Sequence, residues 1–169
     1  RQAEAVAVLA LPKRIKTPTG TGFQEAYTVI FSIPVAGLAE RDVLQVSAEM
    51  EATNDCSYDV GFGTWLVIGT DASSTVPNAA RGESYMSYPS GYNITNGNYQ
   101  IPGAADRSFG HHGSVTRSTV FVVPRGMSGT RYVNFVAYAQ TDKLDCRKGN
   151  GLTVEKGAGH LSVIHYSVQ

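Results

Sequence analysis

The chain has 169 residues, enough for one domain with its own hydrophobic core. Its 14 basic and 14 acidic residues balance to a net charge of zero, and charged residues make up only 17% of the chain, against about 25% in an average globular domain. The basic patch of a nucleic-acid binder and the long apolar stretch of a membrane span are both missing, so we expect neither nucleic acid as a partner nor membrane insertion. The low charge favours an extracellular or virion surface.

Alternation of apolar and polar residues predicts β-strands through most of the chain. The clearest is residues 43–53, where every second residue is apolar and the residues between them are polar, so one face is wet. Further strands are predicted at residues 5–11, 27–33, 58–69, 114–123, 132–140, 152–155 and 160–168. In the second half of residues 58–69 both faces are apolar, which predicts cover on both sides and places Trp65 in the core.

No segment has a helical period longer than two turns, and residues 35–41 are predicted to be a connection with at most one helical turn. The sequence therefore predicts an all-β, single-domain antiparallel β-sandwich, with the jelly roll as first choice. We divide the chain into an N-terminal strand with a flexible arm, residues 1–22, and a sandwich domain, residues 23–169, which carries a loop insertion at about residues 70–113.

The N-terminal strand leaves two arrangements open. The arm that follows it is basic and contains Pro and Gly, so it can act as a tether. Residues 5–11 then either close the edge of their own sheet, which we favour, or add to the sheet of a neighbouring subunit.

The loop insertion is rich in Tyr, Gly, Asn and Ser, a composition typical of recognition loops. We predict that it binds a partner through Tyr85, Tyr88, Tyr92, Asn93, Asn96, Asn98, Tyr99 and Asp106. The alternative is an ordered surface loop whose tyrosines lie flat on their own scaffold. Asn96 and Gly97 favour a hairpin turn within it, and Asn93 opens a glycosylation acceptor triplet.

The two cysteines, Cys56 and Cys146, lie in polar segments next to predicted strands, and we predict that they form a disulfide. Two free surface thiols are the alternative. Acidic and amide residues flank both cysteines, so a disulfide would bring hard oxygen ligands together, namely Asp55, Asp59, Asp142, Asp145 and Asn150. Calcium is thus a weak alternative to the prediction of no cofactor, and the histidines show no metal-ligand spacing.

Catalytic motifs are sparse. Glu49 and Glu51 lie two apart on the wet face of one strand, close enough in principle to act as the acid and base of a glycosidase. A nucleophile elbow and a phosphate-binding loop are both missing from the sequence. We therefore predict a protein that is not an enzyme.

The C-terminal third carries one resemblance. Residues 133–139, 151–157 and 159–164, which read VNFVAYA, GLTVEKG and GHLSVI, resemble the closing strands of compact jelly-roll modules, among them C1q and tumour-necrosis-factor-like domains and β-sandwich modules of phage virions. That resemblance implies a non-catalytic, often trimeric module that binds proteins or glycans through its loops.

These observations together predict a non-enzymatic structural or interaction subunit of an extracellular or virion assembly. Its expected partners are protein subunits of the same assembly, and by analogy with the resembling modules we expect a homo-oligomer, most simply a trimer. The alternative is a carbohydrate-binding, lectin-like domain that takes glycan through the same tyrosines. A glycan-active enzyme using Glu49 and Glu51 is the weaker alternative.

Overall fold

The computed structural model describes residues 1–16, 24–54, 60–87, 90–91, 100–101, 112–141 and 152–168. Eleven strands run through these residues: β1 Gln2–Ala7, β2 Lys13–Ile15, β3 Gln24–Leu38, β4 Val43–Asn54, β5 Val60–Gly69, β6 Ser84–Tyr85, β7 Ser90–Gly91, β8 Gln100–Ile101, β9 His112–Val122, β10 Gly129–Thr141 and β11 Leu152–Tyr166. Within this part of the chain, the helical structure is a single turn of 3-10 helix at Ala79–Arg81, and no helix is long enough to cross a membrane.

The strands form two antiparallel sheets. Sheet one has the order β1-β11-β4-β9, with β2 also paired to β11; sheet two has the order β3-β10-β5, with β6, β7 and β8 paired to the other edge of β5. Counting β1 with β2 as one strand, and β6 to β8 as one strand, leaves eight strands in chain order. Their order is then 1-8-3-6 in sheet one and 2-7-4-5 in sheet two. This is the order of a jelly roll, so the predicted all-β sandwich is confirmed.

The main core lies between the sheets. Alternate residues of β4 face it, and each of these is at least 97% buried: Leu44, Val46, Ala48, Met50 and Ala52. Sheet two contributes Leu66, Ile68 and Phe135, and the Phe135 ring stacks on Phe31 with centroids 6.3 Å apart. Burying a side chain of this size stabilises the fold by about 1.5–3 kcal/mol.

Strand ends depart from the predictions at three places. β3 continues to Leu38, where a connection was predicted, because an edge strand tolerates a residue such as Pro34 that has no N–H to donate. β11 is one strand where two were predicted. The residues between Val154 and Gly159 form an irregularity in its pairing with β4 but do not end the strand. β1 lies a few residues earlier than predicted and pairs with β11 of the same chain, so of the two arrangements left open it takes the intramolecular one.

A buried carboxylate fixes the end of β11. Asp42 Oδ2 lies 2.7 Å from His165 Nε2 and accepts a hydrogen bond from the Ala39 amide at 3.0 Å, while Oδ1 accepts one from the Val168 amide at 3.1 Å. The hydrogen bond with His165 is the main reason that the pKa of Asp42 lies below its usual value, against the opposing effect of burial. Asp42 thereby connects the turn between β3 and β4 to the last described residues.

Candidate recognition surface

The first part of the loop insertion crosses the outer face of sheet two and then joins its edge as β6, where Met86 enters the main core. We call residues 70–87 the covering segment. Beneath it, on the face of the sheet that points away from the main core, Trp65, Val67, Val136 and Tyr138 form a second buried cluster. A sheet face that would otherwise meet water is therefore dry, which confirms the prediction of cover on both sides of this strand.

Two of these residues are aromatic, and the partly buried Tyr27 adds a third ring beside them. The Trp65 ring centroid lies 5.3 Å from that of Tyr27 and 5.0 Å from that of Tyr138. The Tyr138 ring lies directly over Gly63, where a Cβ atom would come within 2.2 Å of the ring. Trp65 is thus buried as predicted, but in this outer cluster and not between the sheets.

Asn134 fixes the covering segment to the sheet. Its side chain, fully buried on β10, donates from Nδ2 to the carbonyl oxygens of Asp71 and Ser74 at 3.1 and 3.0 Å. Its Oδ1 accepts a hydrogen bond of 2.6 Å from the Ser32 hydroxyl. The indole N–H of Trp65 adds a bond of 2.6 Å to the Thr75 carbonyl oxygen. Each polar group of this buried network has a partner, which is what makes such a network stabilising.

A second set of contacts ties the covering segment to itself. The Glu83 side chain is 1% exposed and accepts hydrogen bonds from the hydroxyls of Ser74 at 2.9 Å and Thr70 at 3.4 Å. Arg81 lies 3.2 Å from Glu83 and also pairs with Asp71. The hydroxyl of Ser73 and then the Arg81 guanidinium lower the pKa of Asp71 to about 2.

Tyr85 is the one predicted binding residue that lies within the described part of the chain. It sits on β6 directly opposite Val67, and its ring meets the Trp65 ring edge-on, with centroids 6.1 Å apart and an interplanar angle of 83°. The Tyr85 residue is 45% exposed. Tyr85 therefore packs against a buried aromatic cluster while nearly half of the residue stays exposed.

The other predicted contact residues lie outside the described residues: Tyr88, Tyr92, Asn93, Asn96, Asn98, Tyr99 and Asp106. The same holds for Cys56 and Cys146 and for the five oxygen ligands of the calcium alternative. The disulfide stays a prediction, and intact mass decides it: a gain of two hydrogen atoms on reduction alone supports the bond, and two thiols that can be alkylated in unreduced protein contradict it.

The two carboxylates of the glycosidase alternative lie on the open outer face of sheet one. The Glu49 side chain is 55% exposed, and its Oε1 lies 3.2 Å from Nδ1 of His160. Glu49 and Glu51 both line a shallow depression of about 270 Å³, together with Ser114 and Thr116. Among the described residues no group of three or more His, Cys, Asp or Glu is arranged to hold a metal ion.

The rings that support Tyr85 were not predicted from the sequence. Tyr27 and Tyr138 lie 111 positions apart and meet only because β3 and β10 are neighbours, with Tyr27 paired to Tyr138 in register. The signal present in the sequence is that Trp65 and Val67, on one face of β5, are apolar as well as Leu66 and Ile68 on the other.

No protein-family model matches the chain, and no curated protein matches it. Similar solved structures include that of infectious bursal disease virus, Gx strain, with a TM-score of 0.44 and 9% identity over 97% of this chain and 32% of that one. A mutant VP2 protein of the same virus, in derived T=1 particles, has the same TM-score and identity over 98% of this chain and 32% of its own. The chain spans about a third of the length of these two.

Proposed function

We propose that this chain is a non-enzymatic structural subunit of a virion or other extracellular assembly, and that it contacts its partners through the tyrosine-rich insertion. The observation that carries the proposal is the position of Tyr85, half-exposed and braced edge-on by the buried Trp65. A contact residue that is already fixed loses little conformational freedom on binding, and this raises affinity. Tyrosine is also among the residues that dominate protein interfaces.

The covering segment supports the same proposal because it gives the insertion a rigid base. The hydrogen bonds of Asn134 and the buried Glu83 hold residues 70–87 in place on sheet two. The part of the insertion that carries the remaining tyrosines therefore follows a segment whose position is fixed. Rigid elements position a binding surface more accurately than free loops do. The low charge of the chain and its jelly-roll fold suit a packed subunit, although the fold by itself does not assign a function.

The test replaces the tyrosines of the insertion and measures association. Tyr85→Ala alone, and together with Tyr88→Ala, Tyr92→Ala and Tyr99→Ala, should weaken self-association in sedimentation equilibrium, with individual losses of about 1 kcal/mol or more. Val76→Ala is the matched control, because Val76 lies in the same covering segment and is 44% exposed, as Tyr85 is 45% exposed. Parent-like association of the fourfold variant would contradict the proposal.

The same variants separate the proposal from the lectin-like alternative. If the parent binds a glycan array and Tyr85→Ala abolishes that binding while self-association is unchanged, the insertion is a carbohydrate-binding surface. Trp65 is not available as a sugar platform, since it is 6% exposed and its N–H is bonded to the Thr75 carbonyl. Hydrolysis of a bound glycan that is lost in Glu49→Gln and Glu51→Gln would favour the glycan-active enzyme.

A further inference from the structure

Among the described strands, three of the four sheet edges carry features that discourage pairing with another chain. On sheet one, the edge opposite β9 is divided between β1 and β2, which have six and three residues. On sheet two, one edge consists of the two-residue strands β6, β7 and β8, and the other is β3, which contains Pro34 and two irregularities in its pairing with β10. Short strands, proline and bulges are the usual ways in which folded proteins protect sheet edges.

The fourth edge, β9, lacks these features. It has 11 residues, His112–Val122, contains no proline, and pairs with β4 in one unbroken register from Thr53 opposite His112 to Val43 opposite Val122. Its only charged residue at neutral pH is Arg117. Of the strands in the described ranges, β4 alone is paired with β9.

Side chains along β9 are also incompletely covered. Thr119 and Phe121 point toward the main core but are only half-buried, whereas Val46 and Leu44, their partners on β4, are almost fully buried. On the outer face, Val120 is 64% exposed and Val122 is 58% exposed. An unbroken, nearly neutral edge strand with apolar side chains open on both faces favours pairing with another strand.

We propose that β9 pairs antiparallel with β9 of a second copy of this chain, around a twofold axis at Ser118, so that sheet one continues through the dimer. In this register Thr116 faces Val120 of the second copy, and Val115 faces Phe121. Pairs of β-branched and aromatic residues are favourable across antiparallel strands.

The charges are compatible with a second copy in this register and disfavour an axis at the neighbouring Arg117. Arg117 then lies opposite Thr119 of the second copy, whereas an axis at Arg117 would place two guanidinium groups opposite each other and is unfavourable. A single charge per strand offers no charge pattern for a strongly acidic or basic partner strand. The Ser, Thr, Val and Phe side chains of β9 instead pair favourably with those of a second β9 that runs in the opposite direction. A twofold contact of this kind uses the same surface on both copies.

The test places charge on the axis. Ser118 is exposed, so Ser118→Asp and Ser118→Lys are compatible with the fold, which circular dichroism checks. Across the axis the two new side chains start about 5 Å apart, and like charges there should weaken the dimer at least about tenfold in sedimentation equilibrium. An equimolar mixture of the two variants should restore a heterodimer, because opposite charges then face each other.

Ser47→Asp is the matched control. Ser47 lies on the same outer face and directly opposite Ser118, but one strand inward. Edge pairing predicts a parent-like dimer for Ser47→Asp, whereas dimerisation through the face of the sheet would be lost in both aspartate variants, and that result would overturn the proposal. A parent that stays monomeric at high micromolar concentration, or a Ser118→Asp variant with parent-like association, would overturn it as well.

This inference builds on the proposed function only in taking the chain to be a subunit of an assembly. The two fail separately, because Tyr85 lies on sheet two and Ser118 on sheet one. If the tyrosine variants lose association and the Ser118 variants do not, the tyrosine contact is supported and the β9 dimer is contradicted. If the Ser118 variants lose association and the tyrosine variants do not, the β9 dimer is supported and the tyrosine contact is contradicted.

Discussion

Asn134→Leu should release the covering segment from sheet two. Leucine has a similar volume, so the substitution leaves little empty space but removes all three hydrogen bonds of the buried side chain. The Ser74 carbonyl is left buried without that donor, at a cost of about 1–3 kcal/mol. The Asp71 carbonyl and the Ser32 hydroxyl are only partly buried, so water offsets more of their loss.

We therefore expect Asn134→Leu to lower the free energy of unfolding by about 3 kcal/mol, which for a domain of this size corresponds to a fall of about 6–12 °C in Tm. Trp65 is the only tryptophan of the chain and lies under the covering segment. Its fluorescence therefore reports whether the segment stays in place. Emission should shift to the red and become more accessible to acrylamide in Asn134→Leu, at temperatures below Tm.

Ser32→Ala is the matched control. It removes a single hydrogen bond of 2.6 Å and leaves both bonds from Asn134 to the covering segment intact. It leaves the buried Asn134 Oδ1 without that donor, so it should cost about 1–3 kcal/mol but leave the Trp65 emission unchanged. If Asn134→Leu instead keeps both the parent Tm and the parent emission, the covering segment is held by other contacts and the reasoning is refuted.

Two further predictions concern the packing of sheet two and the behaviour at low pH. Gly63→Ala should displace the Tyr138 ring and destabilise the fold by about 1–3 kcal/mol in urea denaturation, and an unchanged midpoint would show that the ring moves without cost. Because the folded pKa of Asp42 is lowered, its contribution to stability is present above the unfolded value near 3.8 and is lost as the pH falls through the folded pKa. The stability gap between the parent and Asp42→Asn should therefore narrow below about pH 4, and a gap that stays constant there would contradict the role given to His165.

Local pattern was enough to predict the fold class. The strict alternation in β4 predicted both its core face and its wet face, and the bounds of Val43–Asn54 differ from the prediction by one residue. The apolar residues on both faces of β5 predicted cover on its outer side as well. These features depend on periodicity alone, which a single sequence displays directly.

The errors arose where residue types that favour turns occur inside strands. Pro34 and Gly37 indicated a connection, but β3 is an edge strand and continues past both. Gly157 and Gly159 indicated the end of a strand, but β11 continues through them. Glycine is required at 159 because a Cβ there would come within 2.3 Å of the Glu49 carbonyl oxygen. Tertiary pairing overrides local propensity at such positions.

Contacts between distant residues could not be predicted at all. Asn134 lies 60 residues from Ser74, and His165 lies 123 residues from Asp42. Neither pair has a local signature, since a buried asparagine and an exposed one look the same in a sequence. Tyr85 was found from composition, while the rings that brace it depend on the order of strands in sheet two.

The position of β11 has a consequence for how the protein folds. This strand lies between β1 and β4 in sheet one, so the first strand of the sheet can dock only after the last has been made. The backbones of Arg1 and Ser167, 166 residues apart, are joined by hydrogen bonds. A topology with so many long-range pairings folds slowly, on a scale of milliseconds to seconds. During synthesis, β4 keeps an unpaired edge until β11 emerges, and a nascent chain that stalls before residue 152 presents that edge to any other chain nearby.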